Sequence, residues 1–219
     1  MERTRLRRVR FYLGISALCS ILTASICILL LMSSVFSYPS FQVIREDFEE
    51  KLDDWAVDAD VPLDPNNPGS FVEWNITRSN DVAHSGEYSL KYFIDGRQDD
   101  GTIWIERKLS VKKNSRAKIK ISFMFYSESE SFNTIASICT YAGIRNPEAE
   151  EDFVILGSAN EAEGWKNYEY TANLYTGSSE EIWVAIGITV RWETYMTYFI
   201  DDVKVEVENN PLTQVENER

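Results

Sequence analysis

Histidine and cysteine are nearly missing from this chain: 219 residues hold one histidine, His84, and three cysteines. Cys19 and Cys27 lie in an apolar amino-terminal run, which leaves Cys139 as the one thiol beyond it. A single thiol closes no intrachain disulfide and builds no zinc site. Cys139 sits in the strand-like run 133–141 and is expected to be a small buried hydrophobe. With His84 as the sole candidate base, nucleophilic catalysis finds no constellation to work with. No phosphate-binding glycine loop and no nucleophile motif occur either. A glycosidase needs two carboxylates across one bond, and scattered acids identify no such pair. The expectation is therefore a non-catalytic chain. Beyond the amino-terminal run, no segment sustains a 3.6-residue period, and no internal repeat is found.

The amino terminus is the one region rich in positive charge. Arg3, Arg5, Arg7, Arg8 and Arg10 stand against Glu2, and 26 uncharged residues follow from Phe11 to Phe36. About 20 apolar residues cross the hydrocarbon core as a helix. The arginines should stay cytoplasmic, which puts the rest of the chain outside. The expected organisation is a basic segment 1–10, a transmembrane signal anchor 11–36, an exterior domain 41–208 and a flexible acidic tail 209–219. A cleaved signal is the alternative, since Val35-Phe36-Ser37 offers small enough residues; the domain is then secreted. Five of the 22 basic residues and one of the 35 acidic ones precede residue 41, so the remainder carries a net charge of −17. Such a surface repels nucleic acid.

The exterior reads as all-β. Residues 118–126 alternate with Ile119, Ile121, Phe123 and Phe125 on one face, and 181–190 with Ile182, Val184, Ile186, Ile188 and Val190. Residues 102–109 and 165–174 add strands, and turn signals at 99–101, 113–115, 143–147, 160–164 and 177–179 separate them. At the end, Val203, Val205 and Val207 alternate with Asp202, Lys204, Glu206 and Glu208. The spacing predicts a two-sheet antiparallel sandwich. Asp58 to Ser70, with Pro62, Pro65 and Pro68, is expected to be a long surface loop. Asn75-Ile76-Thr77 is a glycosylation sequon.

Three fragments carry a resemblance: Asp47-Phe48-Glu49, His84-Ser85-Gly86-Glu87-Tyr88-Ser89-Leu90-Lys91-Tyr92, and Tyr198-Phe199-Ile200-Asp201-Asp202-Val203-Lys204-Val205. Together they resemble the opening, second strand and closing strand of carbohydrate-binding modules of the family 4 and 9 (CenC-like) type, a jelly-roll, galactose-binding-like sandwich. The resemblance spans about residues 44–208. It implies one structural calcium tying the first strand to the last, with Glu49 and Asp201 as ligands and main-chain oxygens near Asp47 and in the 86–89 turn. Calcium accepts six to eight oxygens of both kinds. The plainer alternative is that Glu49 and Asp201 are solvated strand-end acids.

Sugars are recognised by flat aromatic rings flanked by polar groups. Trp104 and Trp183 each sit on the face opposite their strand's aliphatic row, which in a sandwich is the outside. Tyr126 follows the same alternation, and Arg191 shares a face with Trp183. Trp104, Trp183, Tyr126 and Arg191 are thus the candidate carbohydrate-binding residues; cover by a loop such as 58–70 is the alternative. Trp55 and Trp165 read as core or edge packing, and Trp192, Tyr195 and Tyr198 form a separate cluster before the last strand. Two functions remain open: a membrane-anchored module binding poly- or oligosaccharide, and a surface adhesion domain contacting protein.

Overall fold

The computed structural model describes residues 39–211 apart from 53, 97–100, 131–135 and 191–193. Pro39–Arg219 forms one compact unit. Eleven strands are described: β1 (Ser40–Glu46), β2 (Ala56–Asp60), β3 (Trp74–Ser79), β4 (Ser89–Gly96), β5 (Gly101–Ser110), β6 (Ser115–Ser127), β7 (Ala136–Gly143), β8 (Val154–Ser158), β9 (Gly164–Tyr175), β10 (Glu181–Val190) and β11 (Thr194–Pro211). They make two antiparallel sheets, ordered β3-β4-β11-β6-β9 with β1 also on β11, and β2-β5-β10-β7-β8. The all-β two-sheet sandwich expected from the alternation is what forms. Among the described residues no helix is long and apolar enough to cross a membrane; the apolar run 11–36 lies outside them.

The inward rows match the alternation. Ile119, Ile121, Phe123 and Phe125 from β6 meet Ile182, Val184, Ile186, Ile188 and Val190 from β10 in one core, with Val203, Val205 and Val207 of β11. Each such side chain removed from water is worth roughly 1.5–3 kcal/mol, which is what holds the two sheets face to face. Cys139 is fully buried, as expected of a small hydrophobe, and burial pushes its thiol far up from the ordinary value.

Two boundaries differ from the sequence reading. Asp58, Ala59 and Asp60 belong to β2, paired with Trp104, Ile103 and Thr102, so the proline-rich loop starts after them. At the other end β11 runs through Pro211 rather than stopping at Glu208. Asn209 is buried there, donating its amide to Ser115 Oγ at 2.7 Å. That side-chain bond replaces the apolar contact whose absence made the segment look like a tail.

β11 changes partners midway. Thr194–Ile200 pairs with β4, whereas Val203–Asn209 pairs with β1, and β6 lies along its other side from Phe199 to Pro211. The register slips between Asp201 and Lys204, and Asp202 takes φ 49. A bulge of this kind bends a strand and re-aims its side chains. Here it sets Asp201 and Asp202 at the junction where β1 ends and β4 begins.

Candidate functional site

The outer face of the second sheet is built by the odd-even rule. Thr102, Trp104 and Glu106 alternate with the inward Ile103 and Ile105, and Trp183, Ala185, Gly187 and Thr189 do the same on β10. Trp183 lies opposite Lys108 and Trp104 opposite Gly187. Both tryptophans therefore point away from the inter-sheet core, as the alternation predicts. Their exposure is where the structure departs from expectation. Trp183 is half-buried, with Lys108 Nζ 5.9 Å from its ring centroid. Trp104 is 0% exposed. The cover is the segment joining β7 to β8, not the 58–70 loop. Phe153 packs on Trp104 with ring centroids 5.0 Å apart and lies 6.1 Å from the Tyr141 ring. A single 3₁₀ turn, Glu150–Asp152, shapes that segment, and its Glu150 N donates to Asp60 Oδ2 on β2 at 3.0 Å.

Under this cover lies a polar strip. Trp104 Nε1 donates to Glu106 Oε2 at 2.9 Å, and Glu106 is only 5% exposed. Burial raises the Glu106 carboxyl above its ordinary value, against the lowering hydrogen bonds from Trp104 and Asn146; Asp58 and Glu148 nearby raise it further. Asn146 Oδ1, Thr102 Oγ1 and Thr189 Oγ1 are buried without a hydrogen-bond partner. Thr102 and Thr189 face each other across β5 and β10. Leaving a buried hydroxyl unpaired costs about 1–3 kcal/mol, which sets Thr102 and Thr189 apart from the hydrogen-bonded Trp104 and Glu106 beside them.

Tyr126 stands elsewhere. It lies on the first sheet, in register with Trp165 of β9 and Phe199 of β11, at ring-centroid distances of 5.3 Å and 5.9 Å. The sandwich thus separates it from Trp104 and Trp183, because β6 belongs to the other sheet. Arg191 and Trp192 lie outside the described residues. Tyr198 packs in the core 5.3 Å from Phe125 and donates its hydroxyl to Asn160 Oδ1 at 2.7 Å. The sequence reading missed Phe153, Asn146 and the threonine pair. Apolar-polar alternation gives the face of a threonine but not whether its hydroxyl finds a partner.

The three fragments of the resemblance do meet, at the β11 bulge. Glu49 Oε1 accepts from Glu87 N and Tyr88 N, each at 2.9 Å. Asp201 Oδ2 accepts from His84 N at 2.8 Å and Ser85 N at 3.1 Å, and Oδ1 from Asp202 N at 2.7 Å. Burial still outweighs these three donors and raises the Asp201 carboxyl above its ordinary value. Asp202 takes Ser85 Oγ at 2.7 Å and His84 Nδ1 at 2.5 Å. Asp47 is exposed and folds back to accept Glu49 N at 3.2 Å. Among the described residues no group of three or more His, Cys, Asp or Glu side chains is placed to hold a metal ion. Backbone N–H groups point at Glu49 Oε1 and at both Asp201 oxygens, the carboxylates that the resemblance assigns to calcium.

No protein-family model matches the chain, and no curated protein matches it. Solved structures that it resembles include the CBM22-1 xylan-binding domain of Paenibacillus barcinonensis Xyn10C, at 13% identity over 80% of this chain and 99% of that one, with a TM-score of 0.41. Others are the mannan-recognising carbohydrate-binding module TmCBM27, at 12% identity over 78% and 98% with a TM-score of 0.42, and the K3 cleaved adhesin domain of Lys-gingipain from Porphyromonas gingivalis, at 15% identity over 77% and 99% with a TM-score of 0.45. The chain is similar in structure to β-sandwich carbohydrate-binding modules and to an adhesin domain of comparable size.

Proposed function

We propose that the exterior domain is a non-catalytic glycan-binding module, held at the cell surface by the 11–36 segment, with its ligand along the outer face of the second sheet. The observation that carries this reading is the pairing, on one face, of the half-buried Trp183 ring with the buried, unpartnered hydroxyls of Thr102 and Thr189. From Trp183 to Thr189 is six residues of one strand, roughly 20 Å at 3.4 Å each, which suits an oligosaccharide rather than a single sugar. Rings supply the apolar contact and orphaned acceptors and hydroxyls the polar one. The segment 144–153 covers the middle of the strip and must lift for a ligand to reach Trp104. The acids Asp58 and Glu106 in the middle of the strip, with Glu148 close to Glu106, disfavour uronic or sulfated polymers through like-charge repulsion.

Affinity electrophoresis of the protein through gels holding neutral, amine-bearing or anionic polysaccharide tests this. Retention by a neutral or amine-bearing polymer is expected, with Trp183→Ala losing roughly thirtyfold in affinity. No retention in any gel would sink the glycan reading. The adhesion reading then takes over, and one observation favours it independently. β8 is an edge strand whose Val154 and Ile155 are exposed, with Ile144 exposed nearby. Open apolar edges accept a strand from another chain.

A further inference from the structure

The junction where β4, β11 and β1 meet combines two carboxylates, a turn of backbone amides and an arginine. Glu49 Oε1 and Asp201 Oδ2 each hold two backbone N–H groups, and Asp201 Oδ1 holds a third kind, from Asp202. The main-chain oxygens nearest them are engaged as well. Arg78, on β3, donates Nε to Phe48 O at 2.6 Å and Nη2 to Glu49 O. Its guanidinium carbon also lies 3.2 Å from the centroid of the Tyr88 ring. One planar, permanently charged fork therefore bridges the two carbonyls that follow β1 and stacks on the turn that precedes β4.

We propose that Arg78 and the 84–88 amides form a metal-free clasp, the guanidinium supplying there the positive charge that a divalent cation would otherwise bring. Two further features fit this assignment. Phe48 sits at φ 57, a left-handed conformation that a bulky residue rarely adopts, with its carbonyl accepting from Arg78 and its ring fully buried. Gly86, at φ 63, holds a conformation that favours glycine, and a Cβ there would lie 2.2 Å from Glu49 Oε1 and displace that carboxylate. The glycine thus lets the turn's backbone approach the carboxylate closely enough for amides to do the binding. A cation and an N–H hydrogen compete for carboxylate lone pairs, and hydrogens are already in place at Glu49 Oε1 and both Asp201 oxygens.

The test uses the full-length chain in detergent micelles, melted with excess chelator, without addition, and with millimolar calcium, following tryptophan fluorescence. A calcium present at a hundredfold excess over its Kd would raise the melting temperature by roughly 5–10 °C in a domain of this size. The clasp predicts superimposed curves, and no terbium luminescence sensitised by Trp165, whose ring touches His84 at 5.4 Å between centroids. It also predicts that Arg78→Met lowers the melting temperature by several degrees and that Arg78→Lys does not restore it, because an ammonium cannot bridge two carbonyls as a fork does. A chelator-dependent shift, or stoichiometric terbium binding, overturns the proposal. So does an Arg78→Met variant that melts like the parent. Should that variant fail to fold, the chelator and terbium arms on the unaltered chain still decide.

Discussion

Gly187 lies directly opposite Trp104 across β10 and β5, and a Cβ at 187 would sit 2.4 Å from Ile103 O and 2.8 Å from Trp104 Cβ. The close approach of backbone to backbone leaves the large indole somewhere to lie. Gly187→Ala should therefore destabilise the domain by about 1–3 kcal/mol through overpacking. A urea titration should show a lower midpoint at unchanged slope. An unshifted midpoint would mean the strands separate freely and Trp104 is not pinned.

Trp104 and Trp183 share a face but not a role, and truncation should separate them. Trp104→Ala removes a fully buried ring together with the donor to Glu106 and should cost about 3–5 kcal/mol. Trp183→Ala should cost about 1 kcal/mol, within the common range for single substitutions. Thermal melts of the two variants side by side check this. Equal losses would place Trp183 in the core and remove it as a ligand contact.

The buried carboxyls set a pH dependence whose sign follows from linkage. Glu106 and Asp201 are both raised above their ordinary values of 4.5 and 3.8. The folded chain then holds these protons more tightly than the unfolded one, so their contribution to stability falls as pH rises through the window above those values. Glu106→Gln removes one of these two titrating groups. Its melting temperature should fall less between about pH 4.5 and 7 than that of the parent. A parallel pair of curves would show that Glu106 is solvated in the folded state.

The topology is tested on intact cells. The proposed orientation, drawn from five arginines before an uncharged run of 26 residues, has the sandwich outside. Added protease should remove the exterior domain and leave a short membrane-bound stub. Protection of the domain would reverse the orientation, and a mature chain beginning near Tyr38 would show signal cleavage instead.

The alternation along β6 and β10 was enough to assign the sheet faces, because a side chain's side follows from a two-residue period and nothing else. It gave the all-β class, the inward aliphatic rows and the outward direction of Trp104 and Trp183. The bulge at Asp201–Lys204 was not readable, because the alternation from Asp202 to Glu208 reads as an unbroken strand.

Tertiary structure decided what covers each outward residue and which distant oxygens find donors. Phe153 reaches Trp104 from another strand's connection, and no local pattern connects position 153 to position 104. Tyr126 went to the opposite sheet because strand order, not parity, sets which outer face a residue joins. Likewise Asp47, Glu49 and Asp201 read as cation ligands while the chain was one-dimensional. Arg78, 29 residues from Glu49, occupies the neighbouring carbonyls only once β3 is laid against β4. Periodicity is local and survives in sequence; the pairing of a polar atom depends on long-range neighbours, which only the packed sheets bring together.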